Sequence, residues 1–196
     1  MSKRNGFRPL QILLLCLLAT ACTAPQLILR DPAPERLRVT LSFTDEVPEQ
    51  MQVVLQRQFD DYVILHNSRT GTAGSFKLES VQTGDQPDMI IRVRASKLVT
   101  SGQQTAGVIV SMIGFTLPIA MAASGAEFVL FFWYFPQTQS LIEISLNPQL
   151  SAGQFNTINY HLGSPGFLKS PQGQMTKHGV YFHDFLKRYF KKMKKR

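Results

Sequence analysis

Residues 10–22 (LQILLLCLLATAC) constrain the rest of the chain more than any other stretch. Lys3, Arg4 and Arg8 precede or flank the start of this run, residues 10–18 are apolar apart from Gln11, and Ala19, Thr20 and Ala21 are small. That is the layout of a secretory signal peptide, and the apolar run is too short to span the ~30 Å core of a bilayer. Cys16 leaves with such a leader. Cys22 is then the one cysteine of the mature chain, so no intramolecular disulfide can form. The fold must be held by an apolar core, which a chain of this length can supply in a single domain.

Ala19-Thr20-Ala21-Cys22 resembles the lipobox of bacterial lipoproteins, with Ala19 where that class prefers Leu. The resemblance implies a diacylglycerol on Cys22, cleavage before it and acylation of the new amine. The covalent lipid is then the only group attached, and no other cofactor is expected. An ordinary signal peptide, cut near Ala21 or Ala24, is the alternative and would leave Cys22 as a free thiol. In enteric lipoproteins an Asp after the cysteine retains the protein at the inner membrane. Thr23 stands there, which by the same resemblance implies the outer membrane, facing the periplasm.

The net charge of +8 is concentrated at the two ends. Lys187, Arg188, Lys191, Lys192, Lys194, Lys195 and Arg196 crowd the last ten residues. Without them and the leader, the body carries 11 cations against 13 anions. A nucleic-acid-binding domain spreads its cations over one face, so this pattern argues against that partner.

Organisation along the chain follows from periodicity. Residues 1–21 read as the leader and 22–36, rich in Pro, as a lipidated tether. Residues 37–193 read as one α+β domain and 194–196 as a basic tail. Leu37, Val39, Leu41 and Phe43 alternate with polar residues, which predicts a half-buried strand. Met51, Val54, Leu55, Phe59 and Tyr62 recur at three and four, which predicts a helix to about Tyr62, started by Pro48 and Glu49. Residues 66–74 read as a turn and 75–81 as a strand. Over 89–96, Ile91, Val93 and Ala95 are expected inside, with Arg92, Arg94 and Ser96 outside. Residues 136–139 read as a turn, 142–146 as a strand, and 149–174 as loop with at most a short strand at 158–162. Phe182, Phe185, Leu186, Tyr189, Phe190 and Met193 predict a C-terminal amphipathic helix. The expected architecture is a mixed or antiparallel sheet of about four to six strands with two amphipathic helices on one face.

Residues 98–126 hold no charge, and three readings compete for the apolar part, 106–126. It is a buried strand, then a loop or short helix near 115–121, then an aromatic strand over 128–135. Or it keeps that layout and exposes an apolar tip at Phe115, Leu117, Ile119 and Met121, which would touch a bilayer or a partner protein. Or it is a transmembrane helix, for which the length is sufficient although Gly, Pro, Ser and Thr dilute it.

Enzymatic signatures are missing. The histidines are His66, His161, His178 and His183, with no HExxH and no cysteine pair for a metal. Neither a GxSxG elbow nor a phosphate-binding glycine loop occurs. The expectation is a protein that is not an enzyme and holds no metal. Lys191, Lys192, Lys194, Lys195 and Arg196 are candidates for contact with an anionic surface.

The order of LRVTLSFTDEV, PEQMQVVL, PDMIIRVRASKL and VSMIGFTLPIA resembles that of poorly characterised proteobacterial envelope lipoproteins. The layout is also similar to small α+β domains such as the amino-terminal domain of TolB and the lipoprotein activators of peptidoglycan synthases. The resemblance implies a membrane-anchored binding or assembly factor with a protein partner in the envelope. A lipid- or lipopolysaccharide-handling lipoprotein, using 128–135 to line an apolar cavity, and an inner-membrane protein spanning at 106–126 are the alternatives.

Overall fold

The structure is a computed structural model. It describes residues 27–30, 33–69, 76–81, 86–123 and 134–193, without the side chains of residues 115, 117, 118, 121 and 122. The fold is α+β, with five strands and three helices among the described residues. The strands are β1 (Arg36–Phe43), β2 (Lys77–Ser80), β3 (Met89–Lys97), β4 (Gln137–Leu146) and β5 (Thr157–Pro165). The helices are α1 (Glu49–Ser68), α2 (Ser101–Ala123) and α3 (Pro171–Met193).

The sheet has the order β2-β1-β3-β4-β5. β1 is parallel to both β2 and β3, whereas β4 is antiparallel to β3 and β5. The parallel β1–β2 pair follows from the α1 crossover between them, because no tight turn can return a chain in the same direction. One sheet face carries Leu37, Val39, Met89, Ile91, Val93, Ile142 and Ile144, all buried beneath α1 and α3. The opposite face is polar. There, Arg92 and Arg94 reach Glu143 at 3.4 and 3.2 Å.

α1 buries Met51, Leu55, Phe59, Tyr62, Val63 and His66 along one stripe. It therefore runs to Ser68, beyond the boundary expected near Tyr62, and takes in the first residues of the expected turn at 66–74. His66 continues the stripe because its ring is satisfied: Nδ1 lies 3.0 Å from the Tyr62 hydroxyl and Nε2 3.1 Å from the Phe76 carbonyl. α3 packs beside α1, and Gly179 lies against it. A Cβ there would lie 2.7 Å from Cγ1 of Val54. Each fully buried large side chain, such as Phe59 or Phe182, contributes roughly 1.5–3 kcal/mol.

Several expectations are corrected. α3 begins at Pro171, not near Phe182, and the segment read as loop contributes the nine-residue β5 and the first turns of α3. β4 starts at Gln137, within the expected turn at 136–139. Residues 27–30, assigned to the tether, dock on the fold. Leu27 is buried in the core, Arg30 N donates to the Leu150 carbonyl at 2.8 Å, and Ala152 N donates to that of Ile28 at 2.9 Å.

Residues 101–123 of the charge-free segment form one helix, α2, so the strand-and-loop readings of 106–123 are overturned. Gly107, Ser111 and Gly114 lie on one side at helical spacing, the two glycines buried and Ser111 half-buried. Ile109, Met112, Ile113 and Ile119 point the other way. The helical period is carried by small residues, which a count of apolar positions does not register. Among the described residues, no helix is long and apolar enough to cross a membrane. Residues 128–133 of the aromatic run lie outside the described residues.

Candidate functional site

β3 contains a bulge between Val93 and Ala95 that reverses its pleat. Before the bulge, Met89, Ile91 and Val93 point into the core; after it, Ser96 does, against the simple alternation. Ser96 Oγ meets Ser140 Oγ at 2.6 Å, Ser140 Oγ meets His178 Nε2 at 2.8 Å, and His178 Nδ1 meets Ser164 Oγ at 2.8 Å. One turn earlier on α3, Gln174 Oε1 accepts from Val99 N at 2.7 Å and from the Thr138 hydroxyl at 2.9 Å. Its Nε2 donates to the carbonyls of Val99 and Lys169 at 3.1 and 3.2 Å.

A serine hydroxyl on an imidazole is the contact a nucleophile makes with its general base. Here it lacks the other requirement, access for a substrate. His178 and Ser164 are fully buried, Ser140 is 3% exposed and Ser96 6%. No carboxylate hydrogen-bonds to the ring, and burial lowers the His178 pKa from 6.5 to about 4, so the imidazole is neutral at ordinary pH. The chain pins α3 to β3, β4 and β5 as a structural element. Among the described residues, no group of three or more His, Cys, Asp or Glu side chains is placed to hold a metal ion. An open groove of about 490 Å³, lined by Phe43, Gln52, Val53, Gln56, Arg57, Asp60 and Asp61, lies along the outer side of α1. It contains neither histidine nor serine.

The surface feature that stands out is α2. Ile109, Met112, Ile113 and Ile119 are 52, 63, 56 and 68% exposed. Isolated exposed apolar residues are ordinary, but Ile109, Met112 and Ile113, with Ile119 further along the same side, give an uncharged helix a predominantly apolar face among its described side chains. The base of α2 is fixed: Gln104 Nε2 donates to the Lys169 carbonyl at 2.9 Å, and Gly107 packs on Phe167 and Pro136. Phe135 meets Phe167 edge-on, with ring centroids 5.5 Å apart. β3 runs toward this end of the sheet and β4 leaves from it. Residues 27–30 dock at the other end, on the turn after β4, and the ten residues of β4 extend roughly 33 Å. The apolar helix therefore leaves the sheet at the end opposite to that where the N-terminal segment enters.

The residues picked out from the sequence are distributed as follows. Ile119 is exposed on α2, while Phe115, Leu117 and Met121 belong to the same helix with side chains outside the described set. Lys191 and Lys192 are exposed in the last turn of α3. Cys22, Lys194, Lys195 and Arg196 lie outside the described residues. Tyr134 and Phe135, the described end of the aromatic run, are 44 and 50% exposed. Ile109, Met112 and Ile113 extend the expected apolar tip two turns toward the base of the helix, and the spacing of Gly107, Ser111 and Gly114 was the signal for it.

No family model matches the sequence, and no curated protein matches it.

Proposed function

We propose that this protein is a lipoprotein of the bacterial envelope, acylated at Cys22, held at the outer membrane and facing the periplasm. In this reading it is a non-enzymatic binding or assembly factor, and α2 is the element that meets a protein partner. The supporting observation is the apolar face of Ile109, Met112, Ile113 and Ile119 at the end of the sheet remote from the N-terminal segment. From Cys22 to Leu27 the chain reaches at most ~18 Å. With the lipid in a bilayer, the turn after β4 lies near the headgroups and the base of α2 lies a strand's length further away.

Site-specific photo-crosslinking tests this. A crosslinker at Ile113 should give a discrete protein adduct in intact envelopes, and one at Arg57, on the exposed side of α1, should not. Adducts only with lipid, or only with a second copy of this chain, would overturn the partner reading. Mass spectrometry of the processed N-terminus tests the anchor separately: an unmodified Cys22 would remove it.

A further inference from the structure

We infer that the end of the fold where the N-terminal segment docks is a basic platform that seats the domain on an anionic phospholipid surface. Its orientation, with α2 pointing away from the bilayer, rests on the lipoprotein reading. The charge argument does not.

Five separate segments bring cations to this end. Arg36 opens β1 and Lys77 opens β2, and the two are direct partners in the parallel register. The Lys77 amide donates to the Glu35 carbonyl at 2.8 Å, which holds the start of β2 there. Arg69 follows the last turn of α1, and Lys191 and Lys192 are in the last turn of α3. Three aromatic contacts lock these segments together. His66 lies 5.8 Å from Phe76 and 6.0 Å from Phe190, and Phe76 lies 6.4 Å from Phe190, between ring centroids. Each of these rings sits within three residues of one of the cations. Arg30 is brought to the same end by its backbone bond to Leu150 in the turn after β4.

All six side chains are exposed. The described acids at this end are Glu35, Glu79 and Asp88; Glu79 is the register partner of Arg38, and Asp88 is taken up by the same Arg38, whose Nη2 reaches it at 3.2 Å, which leaves six cations against two acids. The other end of the sheet has the opposite balance, with Asp45, Glu46 and Glu49 against Lys97 and Lys169. Like charges directly opposed on neighbouring strands repel, so Arg36 beside Lys77 destabilises the isolated fold slightly. An anionic surface reverses that sign. Cations of the last helical turns also complement the negative ends of α1 and α3, but Arg30, Arg36 and Lys77 lie on no helix, and the dipole does not account for them.

Cations near a charged bilayer act together and are screened by salt. The several acyl chains of the lipoprotein reading already supply the anchor, so the basic patch would set the orientation of the domain rather than its attachment. The platform lies within reach of Cys22, so lipid and charge would act on the same face.

The test uses the processed full chain in vesicles of phosphatidylethanolamine with phosphatidylglycerol, and in phosphatidylcholine alone. Acylation of Cys22 leaves an introduced thiol as the only free one. A donor dye at Gln149→Cys marks the platform end and one at Ser101→Cys the base of α2; acceptor lipids mark the bilayer. In anionic vesicles at low salt, transfer from position 149 should exceed transfer from 101. The difference should shrink in phosphatidylcholine and at about 1 M salt, where the screening length is ~3 Å. It should also shrink in Arg36→Glu/Lys77→Glu and in Lys191→Gln/Lys192→Gln, checked for native circular dichroism. A difference indifferent to lipid, salt and these substitutions would mean that the tether alone orients the domain, and would overturn the inference.

A second arm separates this from the anchor reading. The chain from residue 23 onward retains the described core and carries no lipid. It should cosediment with anionic vesicles about tenfold or more above phosphatidylcholine. Equal binding to both overturns the platform whatever the state of Cys22.

Discussion

The imidazole Nε2 of His178 lies 2.8 Å from Oγ of Ser140, and neither group meets solvent. The contact is one link in a chain from Ser96 on β3 to Ser164 on β5, so a single side chain of α3 ties together the three strands on that side of the sheet. Replacing His178 with Leu removes the partner of two buried hydroxyls at once. The expected loss is about 2–4 kcal/mol in urea unfolding. Adding Ser96→Ala, Ser140→Ala and Ser164→Ala to that variant should recover part of it, since none of the three hydroxyls of the chain is then left without its partner.

The same imidazole makes stability depend on pH. Its pKa is about 4 in the fold and 6.5 when freely solvated. Between those values the unfolded chain binds a proton that the folded chain refuses. This contribution is therefore fully present above about pH 6.5, falls as pH drops toward 4, and levels off below. The full change is about 3 kcal/mol. Urea midpoints at several pH values across that window should decline in the native protein, and His178→Gln should lack this part of the slope.

Gly179 of α3 packs against α1. Gly179→Leu should destabilise by about 1–3 kcal/mol, because its Cβ alone would lie 2.7 Å from Val54 and the rest of the side chain has no space. Val54→Ala in the same chain should restore much of the loss, as thermal unfolding of the single and double variants would reveal.

The exposed face of α2 separates function from stability. Met112→Glu with Ile113→Glu should leave unfolding free energy within about 0.5 kcal/mol of the native value, since both side chains are solvated. The crosslinked adduct from a probe at Ile109 should be lost. Phe182→Ala, in the core, should instead cost about 3–5 kcal/mol.

Strands and helices with an apolar period could be read directly. Leu37, Val39 and Leu41 marked β1, and Met51, Leu55 and Phe59 marked α1, because burial there is a matter of apolar area. The first turns of α3 escaped because Gln174 and His178 occupy its buried stripe. Their partners, Thr138, Ser140 and Ser164, are distant in sequence and polar themselves, so polar matched polar and no period of hydrophobicity was visible. Simple alternation puts Ser96 on the wrong face, because a bulge at one residue inverts everything after it.

The apolar tip expected on 115–121 was partly legible. Ile119 lies on that surface, but the helix that presents it extends back to Ser101, and Ile109, Met112 and Ile113 belong to the same face. Large residues outside and glycines inside invert the usual pattern of an amphipathic helix, so composition indicated an apolar segment without its conformation. The cations at the sheet end were equally hidden. Arg30, Arg36, Arg69 and Lys77 are scattered singly along the sequence, and only Lys191 and Lys192 form a visible cluster.

By itself, the amino-acid order determined the fold class and most of the described helices and strands, since these depend on local periodicity. Tertiary structure alone decided which ends face which way: parallel β1 and β3 against antiparallel β4 and β5 carry α2 to one end and six cations to the other. That separation is a property of strand direction and long-range register, which no local pattern encodes because it depends on pairings between residues far apart in the chain.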